Sequence, residues 1–163
     1  MIRALCREFP DLRLSVSATT RPPRSGEQDG RDYHFLSPEE FERRVAAGDF
    51  LEHATYAGNR YGTLRSEVEH GQVVLEIEVQ GARQVREALP DAIQVFIAPP
   101  STEVLRERLL ERGTDSPEVI RKRLEVAREE LEAQHEFPHV IVNDDLGRAV
   151  QELVDLVARM WGL

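Results

Sequence analysis

Short apolar runs alternate with stretches that carry helix-start signals, and this alternation limits the chain to a small set of folds. The runs are Leu14 to Ala18, Val73 to Val79, Ile93 to Ala98 and Val140 to Val142. In the second, Val73, Leu75, Ile77 and Val79 recur at every other position, which predicts a strand with those four on one face and Glu76 and Glu78 together on the other. Pro99 and Pro100 halt the third. Between the runs, Ser37 followed by Glu40 forms a capping-box pattern, and Gly48 stands where such a helix stops. Ser101 is placed to cap a helix toward Arg112, Ser116-Pro117-Glu118 opens a long amphipathic one, and Leu146 to Met160 closes the chain as a helix. Strands interleaved with helices predict an α/β fold on a mostly parallel sheet. In such sheets ligands gather beyond the carboxyl ends of the strands. Glu76, Glu78, Gln80 and Gly81 fall at one such end, and Asn143 and Asp144 at another.

The 163 residues fit one domain large enough to bury a core, with no repeats or low-complexity linkers. A net charge of −9 argues against nucleic acid as a partner, so any anion site must concentrate its arginines locally. The single cysteine, Cys6, cannot form an internal disulfide, which is compatible with a reducing cytosol. No apolar stretch approaches membrane-spanning length and no signal peptide is visible, so the expectation is a soluble, cytoplasmic protein without a membrane partner. His135 and His139 flank Pro138 and gain no further ligand nearby, which leaves a structural zinc site without its usual four donors. Oligomeric state is not legible.

Ser15 to Phe35 reads SVSATTRPPRSGEQDGRDYHF. Arg21 and Arg24 supply planar, always-charged forks that match phosphate oxygens two at a time. Gly26 and Gly30 permit tight turns and Pro22 and Pro23 stiffen the approach, so the segment reads as a preformed anion-binding loop.

The pattern S-x-T-T-R-x-P-R-x-G-E-x-x-G-x-D-Y-x-F within that run is similar to the GMP-binding segment of guanylate kinases, which transfer phosphate from ATP to GMP. FLEHATYAGNRYGT, VVLEIEVQGARQVR, VFIAPPS, RLLERGTDS and VIVNDDL resemble further blocks of that family, in family order, so the similarity covers nearly the whole chain. It implies a P-loop-kinase-like three-layer fold, with a GMP-binding region over about 17–78 and a mobile lid over about 108–123. It also implies ATP and GMP as substrates, Mg2+ with the donor, and a place in purine nucleotide metabolism.

Carried over position by position, the resemblance implies that Arg21, Arg24, Tyr33 and Tyr61 bind the GMP phosphate, the arginines offsetting charge and the phenols fixing orientation. Ser17, Glu52, Thr63 and Glu78 match the base-recognition positions. Guanine offers N1–H and a 2-amino group as donors, which carboxylates accept and adenine does not reproduce. Glu76 is implied for the metal or its water shell. Glu78 departs from the family, where aspartate is common, and adds one methylene to the reach. Arg112 and Arg123 resemble lid residues that meet the transferring phosphoryl group as catalytic cations, Arg112 also touching ATP, and Asn143 resembles the residue that meets the adenine of ATP. Arg108, Arg121 and Arg128 are read as helix-surface partners of glutamates.

One expected motif is missing. Guanylate kinases carry a Gly-rich G-x-x-x-x-G-K-[ST] loop whose amides and lysine hold the ATP phosphates, whereas the only lysine here is Lys122. Met1 corresponds to a point inside the helix that follows that loop, so the expectation is a truncated start or a true loss, with retention of every other block favouring truncation. Two competing readings are a non-catalytic guanylate-kinase-like module that binds protein, and a kinase for another small phosphorylated acceptor. The set Arg21, Arg24, Tyr33, Glu52 and Tyr61 disfavours the first, and Glu52, Thr63 and Glu78 disfavour the second.

Overall fold

The computed structural model describes residues 1–112 and 116–162. The elements in order are α1 (Ile2–Glu8), β1 (Leu12–Leu14), β2 (Ala18–Thr19), β3 (His34–Phe35), α2 (Pro38–Ala47), β4 (Phe50–Tyr56), β5 (Asn59–Leu64), β6 (Gln72–Val74), α3 (Val79–Ala88), β7 (Val95–Ala98), α4 (Thr102–Arg112), α5 (Pro117–Glu132), β8 (His139–Val142) and α6 (Leu146–Trp161). They form two compact units, one of Phe9–Ala92 with Ile2, the other of Arg3–Glu8 and Ile93–Leu163 with Met1.

In the first unit a four-stranded sheet has the order β3-β2-β5-β4. β2 runs parallel to β3 and antiparallel to β5, and β4 and β5 form a hairpin that pairs Glu52 with Thr63 and Ala54 with Tyr61. Ala57 (φ 50°) and Gly58 (φ 85°) make its turn, and positive φ at both central positions is what a two-residue hairpin loop needs to follow strand twist. Alanine tolerates that region poorly. Ala57→Asn, which creates the favoured Asn-Gly pair, is expected to raise stability by roughly 0.5–1 kcal/mol. Unchanged or lower denaturant midpoints would count against it.

Behind the sheet, Ala18, Phe41, Phe50 and Leu64 form the core, with Leu36 and Val45 packed on it. The Phe41 and Phe50 rings stack at 4.4 Å. α2 is delivered to this core by its caps: Ser37 Oγ accepts from Glu40 N, and Gly48 at φ 75° closes the other end. Both ends match the sequence expectation. The Glu40 carboxylate accepts from Arg44 Nε at 2.7 Å.

A separate parallel pair, β1 with β6, registers Leu12 on Gln72 and Leu14 on Val74. Here two expectations are corrected. The run from Leu14 to Ala18 is no single strand: β1 ends at Leu14 and β2 begins at Ala18. The run from Val73 to Val79 is strand only to Val74, and Val79 already opens α3. Glu76 and Glu78 therefore do not share a strand face. The physical reason is Glu78, whose carboxylate accepts from the amides of Gln80 (2.8 Å) and Gly81 (2.6 Å) and so starts a helix where alternation predicted extension.

In the second unit β7 and β8 pair in parallel, Val95 on His139 through Ala98 on Val142. Ser101 and Ser116 cap α4 and α5, accepting from Val104 N and Val119 N. On α6, Ala149, Leu153, Leu156 and Val157 are buried, the helical spacing of one inward face. The α/β class holds, with parallel pairing between β1 and β6, β2 and β3, and β7 and β8; the described strands fall into three small sheets. Among the described residues, no helix is long and apolar enough to cross a membrane.

Candidate functional site

The loop between β2 and β3 places Arg21 first. Its backbone N–H donates to Thr19 Oγ1 at 3.1 Å, which anchors the loop to a fully buried threonine. Its guanidinium donates to both oxygens of Glu27, at 3.0 and 2.8 Å, and lies 5.2 Å from the Tyr33 ring centroid and 5.9 Å from that of Phe35. The Glu27 bond holds Arg21 still more firmly protonated, and the Tyr61 hydroxyl adds to that. Arg21 in turn holds the Glu27 carboxyl below its ordinary range, aided by the Arg24 backbone N–H at 2.6 Å and by the Arg24 charge. Two cations thus converge on one internal carboxylate: the loop has the make-up of an anion site.

Tyr33 and Tyr61 close this end, with ring centroids 6.2 Å apart. Burial pushes the Tyr33 hydroxyl above its usual pKa, so it stays a neutral donor at physiological pH. Ser17 lies half-buried just before β2, where its carbonyl accepts from His34 N at 2.9 Å.

The hairpin supplies the other end. Glu52 is only 3 % exposed, and Thr63, fully buried beside it, donates its hydroxyl to Glu52 Oε1 at 2.7 Å. Burial pushes the Glu52 carboxyl above the normal carboxylate range; the Glu78 charge adds to this, while the Thr63 hydroxyl opposes it. A desolvated carboxylate aligned by a hydroxyl is costly to keep and suited to accept from a ligand's paired N–H groups. Glu78 sits at the start of α3 within reach of the same spot, held by the two amides already described.

Glu76 is exposed in the link between β6 and α3, and its charge acts on Tyr33, which sets it toward the arginine-loop end. Among the described residues no three His, Cys, Asp or Glu side chains gather into a metal cage. One exposed carboxylate nevertheless fits Mg2+, which keeps several waters and leans on substrate phosphates.

The remaining expected residues belong to the second unit. Arg123 lies on α5, and Asn143 follows β8, where its backbone N–H donates to Ala98 O at 2.8 Å. Arg112 ends α4, and its side chain lies outside the described residues, as do 113–115 of the expected lid.

Sequence reasoning missed two neighbours of these residues and the contact made by a third. Glu27 stands six residues from Arg21, a spacing no periodic element flags, although the G-E pair inside the loop motif was its signal. Phe35 lies with its ring 5.9 Å from the Arg21 guanidinium, whereas in sequence it only ends the run. Gly81 lies against Glu52, a closeness that only the fold creates.

Residues 1–160 match the family model described as guanylate kinase. The chain is 56% identical over 156 residues to the guanylate kinase of Symbiobacterium thermophilum, covering 93% of this chain and 74% of that one. It is 52% identical over 163 residues to that of Thermobifida fusca, covering 97% and 83%. The crystal structure of guanylate kinase from Anaplasma phagocytophilum superposes with a TM-score of 0.78 at 30% identity, over 96% of this chain and 80% of that one.

Proposed function

The chain belongs to the guanylate kinase family, a family of nucleoside monophosphate kinases, and we propose that the Phe9–Ala92 unit seats GMP between its arginine loop and its hairpin for phosphoryl transfer from ATP. The observation that carries this reading is the pairing of opposite chemistries in that unit. An arginine pair already holding a carboxylate supports a phosphate seat in the loop, and a buried acid aligned by Thr63 supports a guanine seat by the hairpin.

In this mechanism Arg21 and Arg24 take the GMP phosphate in two-pronged hydrogen bonds, and Tyr33 and Tyr61 orient it so that one oxygen faces the donor. Glu52 and Glu78 accept from guanine N1–H and the 2-amino group, with Ser17 and Thr63 completing the base contacts. Glu76 is the residue that would hold Mg2+, which when bound would supply charge neutralisation at the donor phosphates. Arg112 and Arg123 offset charge building on the transferring group, and Asn143 meets the donor's adenine. The products are ADP and GDP, which places the reaction in purine nucleotide metabolism in the cytoplasm.

Calorimetry with GMP, AMP and ribose bisphosphate tests the acceptor site, and GMP is expected to bind, weakly but in preference to the other two. Equal binding of AMP or of the sugar phosphate would overturn the guanine assignment. These 163 residues contain no G-x-x-x-x-G-K-[ST] loop, so by themselves they are expected to bind GMP but release ADP slowly in a coupled assay. Ordinary turnover by the same chain would refute that expectation.

A further inference from the structure

Resting on the reading of Glu52 as a guanine acceptor, we infer that Gly81 is a positioning residue for base selection: its missing side chain leaves the space in which the Glu52 carboxylate lies. A Cβ built on Gly81 would stand 2.4 Å from Glu52 Oε2, 3.0 Å from Glu52 Cδ and 3.1 Å from Glu78 Oε1. Carbon and oxygen do not approach that closely, so a side chain there and the present Glu52 position exclude each other.

The usual reasons for a glycine do not apply. Gly81 lies in the first turn of α3 and is not among the residues with positive φ, so its backbone conformation is open to alanine. In a helix alanine is intrinsically the better residue. What the glycine supplies is room.

Nor can the carboxylate step aside at no cost. Glu52 is buried, and its other oxygen is tied to Thr63, which has no exposed surface. Rotating Oε2 away from α3 breaks that bond. Glu78, the other close neighbour, has both oxygens on the amides of Gln80 and Gly81, so it cannot withdraw without uncapping the helix. Both acidic base readers therefore pack around a single Cα atom. The same crowding explains why the Glu78 charge acts on Glu52.

The test is calorimetric binding of GMP and AMP by the full chain, together with melting temperature, for the parent, Gly81→Ala and Gly81→Ala/Glu52→Asp. Gly81→Ala is expected to weaken GMP binding about ten- to a hundredfold, as when a polar group of the site is misaligned, while the weak binding of AMP changes little. Glu52→Asp retracts the carboxylate by one methylene, so the paired variant is expected to bind GMP more tightly than Gly81→Ala alone. A purely structural role for Gly81 does not predict that rescue. If Gly81→Ala does not fold, the paired variant must fold and bind GMP for the inference to stand; two unfolded variants overturn it. If Gly81→Ala melts higher and binds GMP like the parent, the inference fails while the guanine site stands. Failure of the parent to bind GMP sinks both.

Discussion

Replacing Arg21 with methionine is expected to weaken GMP binding by about one to two powers of ten, the usual cost of removing a charge-assisted, two-pronged hydrogen-bond donor from a partly buried site. Methionine keeps the length and the apolar contact with Tyr33 and Phe35, so the loss isolates the guanidinium fork. The effect is large because two things change at once. The phosphate loses its two-pronged donor, and Glu27, now held by Arg21 at 2.8 and 3.0 Å, keeps only its Arg24 contact and so faces an incoming anion with less of its charge offset. Arg21→Lys keeps the charge but not the planar fork, and should fall between the parent and the methionine variant. Adding Glu27→Gln to Arg21→Met removes the repulsion and should recover part of the loss. Calorimetry at one fixed salt concentration reads all four chains. A loss below about threefold for Arg21→Met would place the phosphate elsewhere, since a charge-assisted bidentate contact is worth far more than that.

Glu52→Gln is expected to move binding and stability in opposite directions. Burial raises the Glu52 carboxyl above its unfolded value, so the folded state holds that proton more tightly than the unfolded chain does. The stability linked to this group is fully present below the unfolded pKa and is lost as pH rises through the folded one. At pH 7, above the unfolded value, that contribution is diminished, whereas glutamine does not titrate and loses nothing. The Thr63 hydroxyl can still donate to the amide oxygen. Relief of about 1 kcal/mol would raise the melting temperature by roughly 2–4 °C for a chain of this size. Near pH 4 the difference should shrink, because both side chains are then mostly uncharged. GMP affinity should fall about a hundredfold, because the amide turns an N–H donor toward a base edge that itself donates. A lower melting temperature at pH 7, or one whose change does not depend on pH, would contradict the burial argument.

The parts of the fold carried by local chemistry were readable in advance. Ser37, Ser101 and Ser116 cap helices as their positions imply, because a cap depends on a few adjacent residues. Gly48 likewise ends α2. Val73 to Val79 failed for a related reason. Its alternation fits a strand, but Glu78 also has two amides within reach of one carboxylate, and periodicity carries no information about that competition. At the proposed site, Arg21 is legible from its chemistry and Tyr33, Tyr61, Glu52, Thr63 and Glu78 through the family resemblance, and the fold gathers them in one unit. What stayed hidden were pairings set by folding. Glu27 meets Arg21 across an irregular loop, and Gly81 meets Glu52 across the packing of α3 on β4, contacts that no spacing along the chain encodes.

Tyr61 and Thr63 are two positions apart on β5, so they project the same way with roughly 7 Å between them. In the proposed binding mode one serves the acidic tip of the ligand and the other its heterocycle. The strand thus works as a caliper, with its jaws fixed by peptide bond lengths rather than by any adjustable side chain. A positional isomer of the nucleotide, esterified at another ribose hydroxyl, presents identical groups at the wrong separation. Discrimination against such isomers comes with the pleat itself.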